Sequence, residues 1–124
     1  MSQGYDLVRT YTAGAAIPAR TWVKYSADNT VVAAISATDA VIGISDAMAV
    51  VAGDRVDVSH EGIVNALAGG TINRGDPITA NAAGASVTAT PAAGVNNRIG
   101  GFAQISAVAG DIFPVLLSIG SIQG

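Results

Sequence analysis

Side chains able to exchange protons are few. The 124-residue sequence has one histidine, His60, followed by its one glutamate, Glu61, and it has no cysteine. A general base must titrate near neutrality and sit within hydrogen-bond reach of its target. A lone His beside Glu61 at a strand end reads instead as a surface residue. No G-x-S-x-G turn exposes a nucleophile. Asp54, Asp57 and Glu61 fall close together but lack the D-x-D-x-D-G spacing of a calcium loop, so they read as a solvated acidic edge. Gly69-Gly70 and Gly100-Gly101 are not followed by Lys-Ser or Lys-Thr and open no helix, so no phosphate cradle is expected. The residues thus predict no catalytic group, no cofactor and no metal: the chain is not expected to be an enzyme.

The remaining short motifs have structural explanations. Lys24, the one lysine, lies mid-strand in Trp22-Val23-Lys24-Tyr25, not at a hairpin tip as in a lipoyl or biotinyl carrier. Arg74-Gly75-Asp76 matches the cell-adhesion tripeptide, but Pro77 follows, and a turn accounts for it better. Six basic against nine acidic residues give a net charge of −3, and the cations do not cluster, so direct nucleic-acid binding is not expected. A chain this poor in Lys and Glu suggests a surface partly buried against other subunits. Residues 1–6 show no basic region leading into an apolar stretch, so no export signal is expected. No apolar run is long enough for a membrane helix.

Half of the residues are hydrophobic, yet 24 of them are Ala; among the bulky ones, 14 Val and 12 Ile stand against 4 Leu and 2 Met. β-branched side chains suit a pleated sheet and lose freedom in a helix. Strands are predicted at 6–11, 21–25, 30–35, 41–45, 48–51, 55–59, 62–67, 78–80, 86–90, 99–103 and 112–117, with one helical turn at 46–49. In 55–59 the alternation sends Val56 and Val58 inward and Arg55, Asp57 and Ser59 outward. Short strands between turn signals predict an all-β fold, a small β-barrel or β-sandwich with an extended N-terminal segment. Residues 1–20 are expected to be an arm and loop contacting neighbouring subunits, and residues 21–124 a single β domain.

Gly53-Asp54, Gly75-Asp76 and Gly110-Asp111 read as structural turns, Gly supplying a positive φ and Asp bonding the turn backbone. Ile42-Gly43, Val51-Ala52-Gly53-Asp54 and Val58 recur as Ile99-Gly100, Val108-Ala109-Gly110-Asp111 and Val115. A repeated strand–turn–strand unit would produce these matches, and so would Ala/Val/Gly-rich composition.

One family resemblance emerges. Gly53-Asp54-Arg55-Val56-Asp57-Val58, Glu61-Gly62-Ile63-Val64, the run from Ala68-Gly69-Gly70 to Asp76-Pro77-Ile78-Thr79, Gly84, Ile99-Gly100-Gly101-Phe102-Ala103 and Ala109-Gly110-Asp111-Ile112-Phe113-Pro114-Val115 resemble the tailed-phage capsid decoration, or head cement, proteins. The match spans about residues 41 to 117; Trp22-Val23-Lys24-Tyr25 lies outside it. The resemblance implies a β module on the outer capsid surface of the virion, made in the host bacterial cytoplasm. It would bridge major capsid protein subunits as a homotrimer, or in some phages a dimer. It carries over no catalytic residue. Many weak contacts made only to the assembled shell would sum to a large stabilisation. Tyr5, Arg9, Tyr11, Arg20, Trp22 and Tyr25 are the candidate interface residues, the aromatics as anchors and the arginines as polar contacts. The alternative reading is a secreted or surface β-module, an adhesin or carbohydrate-binding domain; the missing export signal and the six aromatics in total count against it.

Overall fold

The β-branched runs become strands, and every regular element among the described residues is a strand. The structure, a computed structural model, describes residues 7–124. The elements are β1 (Leu7–Ala13), β2 (Trp22–Ala27), β3 (Thr30–Ala33), β4 (Gly43–Ser45), β5 (Arg55–Glu61), β6 (Ile63–Leu67), β7 (Pro77–Ala80), β8 (Ser86–Thr88), β9 (Asn96–Ala103) and β10 (Ile112–Gln123). The first five form a closed barrel in the order β1-β3-β2-β4-β5, and the last five a sheet in the order β6-β10-β9-β7-β8.

The second half repeats the first strand for strand. The antiparallel pairs β1–β5, β2–β3, β2–β4 and β4–β5 reappear as β6–β10, β7–β8, β7–β9 and β9–β10. The barrel closes through a parallel pairing of Thr12 with Thr30 and Ala13 with Val31, and its counterpart is the single parallel bridge Ala68–Ser86. The antiparallel bridge Ile17–Val50 returns as Ile72–Ala107. The repeat is thus a matter of topology and not of composition alone.

Three turns share one geometry. The Asp54 N–H donates to Val51 O at 3.1 Å, Asp76 N–H to Asn73 O at 3.0 Å and Asp111 N–H to Val108 O at 3.0 Å. In each the Asp Oδ2 accepts the N–H three residues earlier, from Val51, Asn73 and Val108. The glycine before the Asp has φ of 91°, 85° and 92° at Gly53, Gly75 and Gly110, as the third position of a type II turn requires. A Cβ at Gly75 would meet nothing within 4 Å, so only the backbone resists substitution. Gly75→Val should lower unfolding free energy by about 1–2 kcal/mol in urea titration, and Gly75→Asn by less.

Alternation fills two cores. Tyr11, Ala13, Ile17, Val23, Val31, Val56 and Val58 pack inside the barrel. Ile72, Ile78, Phe113, Val115 and Leu117 line the second lobe, and Trp22, Ala34, Val41 and Ile44 from the first lobe pack among them. Trp22 and Val23 therefore bury on opposite faces of one strand. The loop after β3 is tied by Asp39, which accepts Ile35 N–H at 2.8 Å and pairs with Lys24 at 3.0 Å. Burial pushes the Asp39 carboxyl up, but these donors outweigh it and hold the group below its ordinary value. The loop's Ala37 carbonyl in turn accepts Arg98 N–H at 2.7 Å, joining the lobes.

Three expectations change. Residues 46–49 make no helical turn: the Asp46 carboxylate takes the Ala47 N–H at 2.7 Å, and so short a segment cannot repay helix nucleation. The strand expected at 48–51 is reduced to the bridge at Val50. Within the segment expected as an N-terminal arm, residues 1–6 lie outside the described residues. From Leu7 on it is a barrel strand, paired with β5 from Leu7 to Thr12, because its alternation buries Tyr11 and Ala13. Gly62 separates β5, the last strand of the barrel, from β6, the first strand of the second sheet.

Candidate interaction surface

Arg9 and Tyr11 of β1 meet Tyr25 of β2 at one end of the barrel. β1 sets the exposed Arg9 and the buried Tyr11 on one face there, β2 brings Tyr25, β5 brings His60, and the β2–β3 turn brings Asn29, held at φ 52°. The Tyr11 hydroxyl lies 3.1 Å from that of Tyr25 and 2.9 Å from His60 Nε2. His60 Nδ1 sits 2.8 Å from the Ile42 carbonyl, which can only accept, so Nδ1 donates. In the neutral ring Nε2 then accepts from Tyr11, and Tyr25 donates to Tyr11. Both neighbouring rings stand edge-on to Tyr11, 5.7 Å away by centroid. The Arg9 guanidinium carbon lies 5.4 Å from the Tyr11 ring centroid, and Nη2 donates to Asn29 Oδ1 at 3.2 Å. Burial raises the Tyr11 pKa.

The chain of hydroxyls and imidazole braces the barrel end. Tyr11→Phe should lower the urea unfolding free energy by about 1 kcal/mol, since it strips a partner from both Tyr25 and His60. An unchanged midpoint would mean that solvent replaces both bonds. Outside the brace, Arg9, Tyr25 (52 % exposed), Asp28 and Asn29 line an open groove of about 650 Å³. A second groove of about 470 Å³ is lined by Met48, Asp54, Arg55 and Asp57 among others. Among the described residues no three His, Asp or Glu side chains form a group able to hold a metal ion.

The other candidates lie elsewhere. Tyr5 falls outside the described residues. Arg20, at φ 53°, marks the boundary between the lobes, its carbonyl accepting Leu67 N–H at 3.0 Å. Trp22 is 0 % exposed, and its indole N–H donates to Ser86 Oγ at 2.8 Å, so it anchors one lobe to the other and is closed to an outside partner. The Arg74-Gly75-Asp76 carboxylate is occupied by Asn73 N–H and the Thr88 hydroxyl, at 3.0 and 2.8 Å.

A second surface was not among the candidates. On the outer face of the second sheet, register places Pro77, Phe102, Leu116 and Ile63 side by side across four strands. Phe102, Leu116 and Ile63 are exposed, and Ile112 is exposed further along β10. The sequence did carry a signal: Ile112-Phe113-Pro114-Val115-Leu116-Leu117 is apolar on both faces, the mark of a strand covered on both sides.

No known protein family matches the chain, and no curated protein does. Among solved structures, the chain is similar to the head fiber gp8.5 N base of bacteriophage phi29, with a TM-score of 0.66 and 20% identity, covering 96% of this chain and 99% of that one. At that identity the likeness shows the fold alone, over nearly the full length of both chains.

Proposed function

We propose that the chain is a structural protein of a phage head, a decoration or cement module that sits on the outer capsid surface and bridges major capsid protein subunits. The observation that carries this reading is the end-to-end likeness to a phage head fiber base. The Gly-Asp turns and the A-G-G…G-D-P run point to the same class by resemblance. The role is mechanical, not catalytic. Self-association, as a trimer or a dimer, would multiply the contacts each unit makes with the shell.

The physical logic is one of linkage. A protein that binds assembled subunits and not free ones stabilises the shell in proportion to its occupancy. The groove around Arg9, Tyr25 and Asn29 offers polar contacts and one exposed aromatic, a combination suited to a capsid surface. Among the described residues the β3-facing edge of β1 is paired only at Thr12 and Ala13, so Leu7 to Tyr11 offer a strand edge to a neighbour.

The experiment is to add purified protein to undecorated heads of the phage that encodes it and to measure heat release of DNA or shell protein. Decorated heads should withstand higher temperature. The Arg9→Ala, Tyr25→Ala double variant should need a higher concentration for the same protection. Protection without any loss in the double variant would move the contact away from the groove. Absence of protection, together with glycan binding by the free protein, would favour a surface module.

A further inference from the structure

The internal repeat identifies an interface that the single chain leaves unfilled. In the first lobe, register aligns Val8, Ser59, Ile44 and Trp22 in one outward row. The second lobe covers the Trp22 and Ile44 half of that row, and both residues are completely buried. The row at the same place in the second lobe is Ile63, Leu116, Phe102 and Pro77. It has the same apolar character, but none of the described residues covers it, and its three largest members are 55 %, 42 % and 37 % exposed. A face that is an interface in one repeat is thus presented bare by the other.

We infer that this row is covered by a second copy of the chain. The inference deepens the proposed function by naming the face through which copies meet. The first argument is continuity: the covered and the bare rows are equivalent positions of one repeated unit. The second is charge. On the Pro114 side Asn65 and Gln104 are the polar neighbours, and no residue of the row or of Ile112 and Pro114 is charged; Ser118 and, across Gly62, Glu61 lie on the other side. At a two-fold or three-fold axis the residues nearest the axis meet their own copies, so any charge there would oppose its like. A chain of net charge −3 can approach itself most closely through a row without charge.

The test is sedimentation equilibrium of the purified full chain from micromolar to millimolar concentration, with Leu116→Glu and Phe102→Gln as variants. Val51→Glu, at an exposed residue of the first lobe that lines neither groove, serves as control. Circular dichroism and a thermal midpoint establish that each variant is folded. Wild type and the control should associate alike. Leu116→Glu should weaken association by about thirtyfold or more, as expected for an interface anchor replaced by a charge. Phe102→Gln should act in the same direction.

A monomeric wild type throughout the range, or variants that associate as the wild type does, would overturn the inference. A monomeric wild type whose Leu116→Glu variant no longer binds heads would assign the row to the capsid, overturning the inference while leaving the proposed function standing. Association lost in Leu116→Glu by a protein that never binds heads would do the reverse.

Discussion

Trp22→Ala should destabilise the protein by about 3–5 kcal/mol, the largest loss expected from any single side chain. Trp22 has the largest of the fully buried side chains. It leaves the first lobe and enters the second, where it lies against Gly100, whose Cβ position the indole ring already occupies. Its removal opens a cavity between lobes and leaves the buried Ser86 hydroxyl without its indole partner. The barrel core of Tyr11, Val23, Val31, Val56 and Val58 does not touch that cavity. The loss should therefore fall on the second lobe, so the single cooperative transition of the wild type should split in urea. Trp22→Phe keeps most of the volume and loses the hydrogen bond, for about 1–2 kcal/mol. A Trp22→Ala protein that unfolds in one transition at the wild-type midpoint would refute the role given to Trp22 as the joint between lobes.

Gly101→Ala and Gly43→Ala should each cost about 3 kcal/mol or more, and by the same mechanism. A Cβ at Gly101 would overlap the backbone carbonyl of Leu116, and one at Gly43 that of Ser59. The obstacle in both is backbone, which cannot swing aside as a side chain can. Leu116 and Ser59 occupy matching places in β10 and β5, so the two clashes are one clash repeated. Gly70→Ala is the contrast, since its added methyl would make only an ordinary contact with Val87, and its effect should stay within about 1 kcal/mol. The check is a urea titration of the three variants side by side. Equal midpoints for Gly101→Ala and Gly70→Ala would contradict the close strand approach.

The β class was legible because Val and Ile dominate the bulky residues and alternate, as in β5, where Val56 and Val58 bury and Arg55 and Asp57 face solvent. The Gly-Asp turns were legible because positive φ has few tenants. The repeat was only half visible, for two physical reasons. Where the second lobe has Gly75 and Gly84 at positive φ, the first has Arg20 and Asn29, so the signal glycines are missing from one copy. The fourth strand is also displaced: the clash geometry pairs Gly43 with Gly101, whereas the sequence match paired it with Gly100, beside which β9 and β10 shift register. Trp22, a candidate for contact with another subunit, is covered instead by the second lobe of its own chain, because alternation reports only that a face is covered and not by what. His60 looked isolated because its partners, Tyr11 of β1 and Ile42 just before β4, come from elsewhere in the chain, and the pairing of β1 with β5 is a long-range fact.

The account rests on attachment to a phage head. The most direct measurement is co-sedimentation of the purified chain with undecorated phage heads, titrated to saturation and quantified against the major capsid protein. The account predicts saturable binding at a fixed small-integer ratio to capsid subunits, and none to unassembled capsid protein. Protein that stays in the supernatant at every concentration, or that binds free subunits and assembled heads alike, would contradict it.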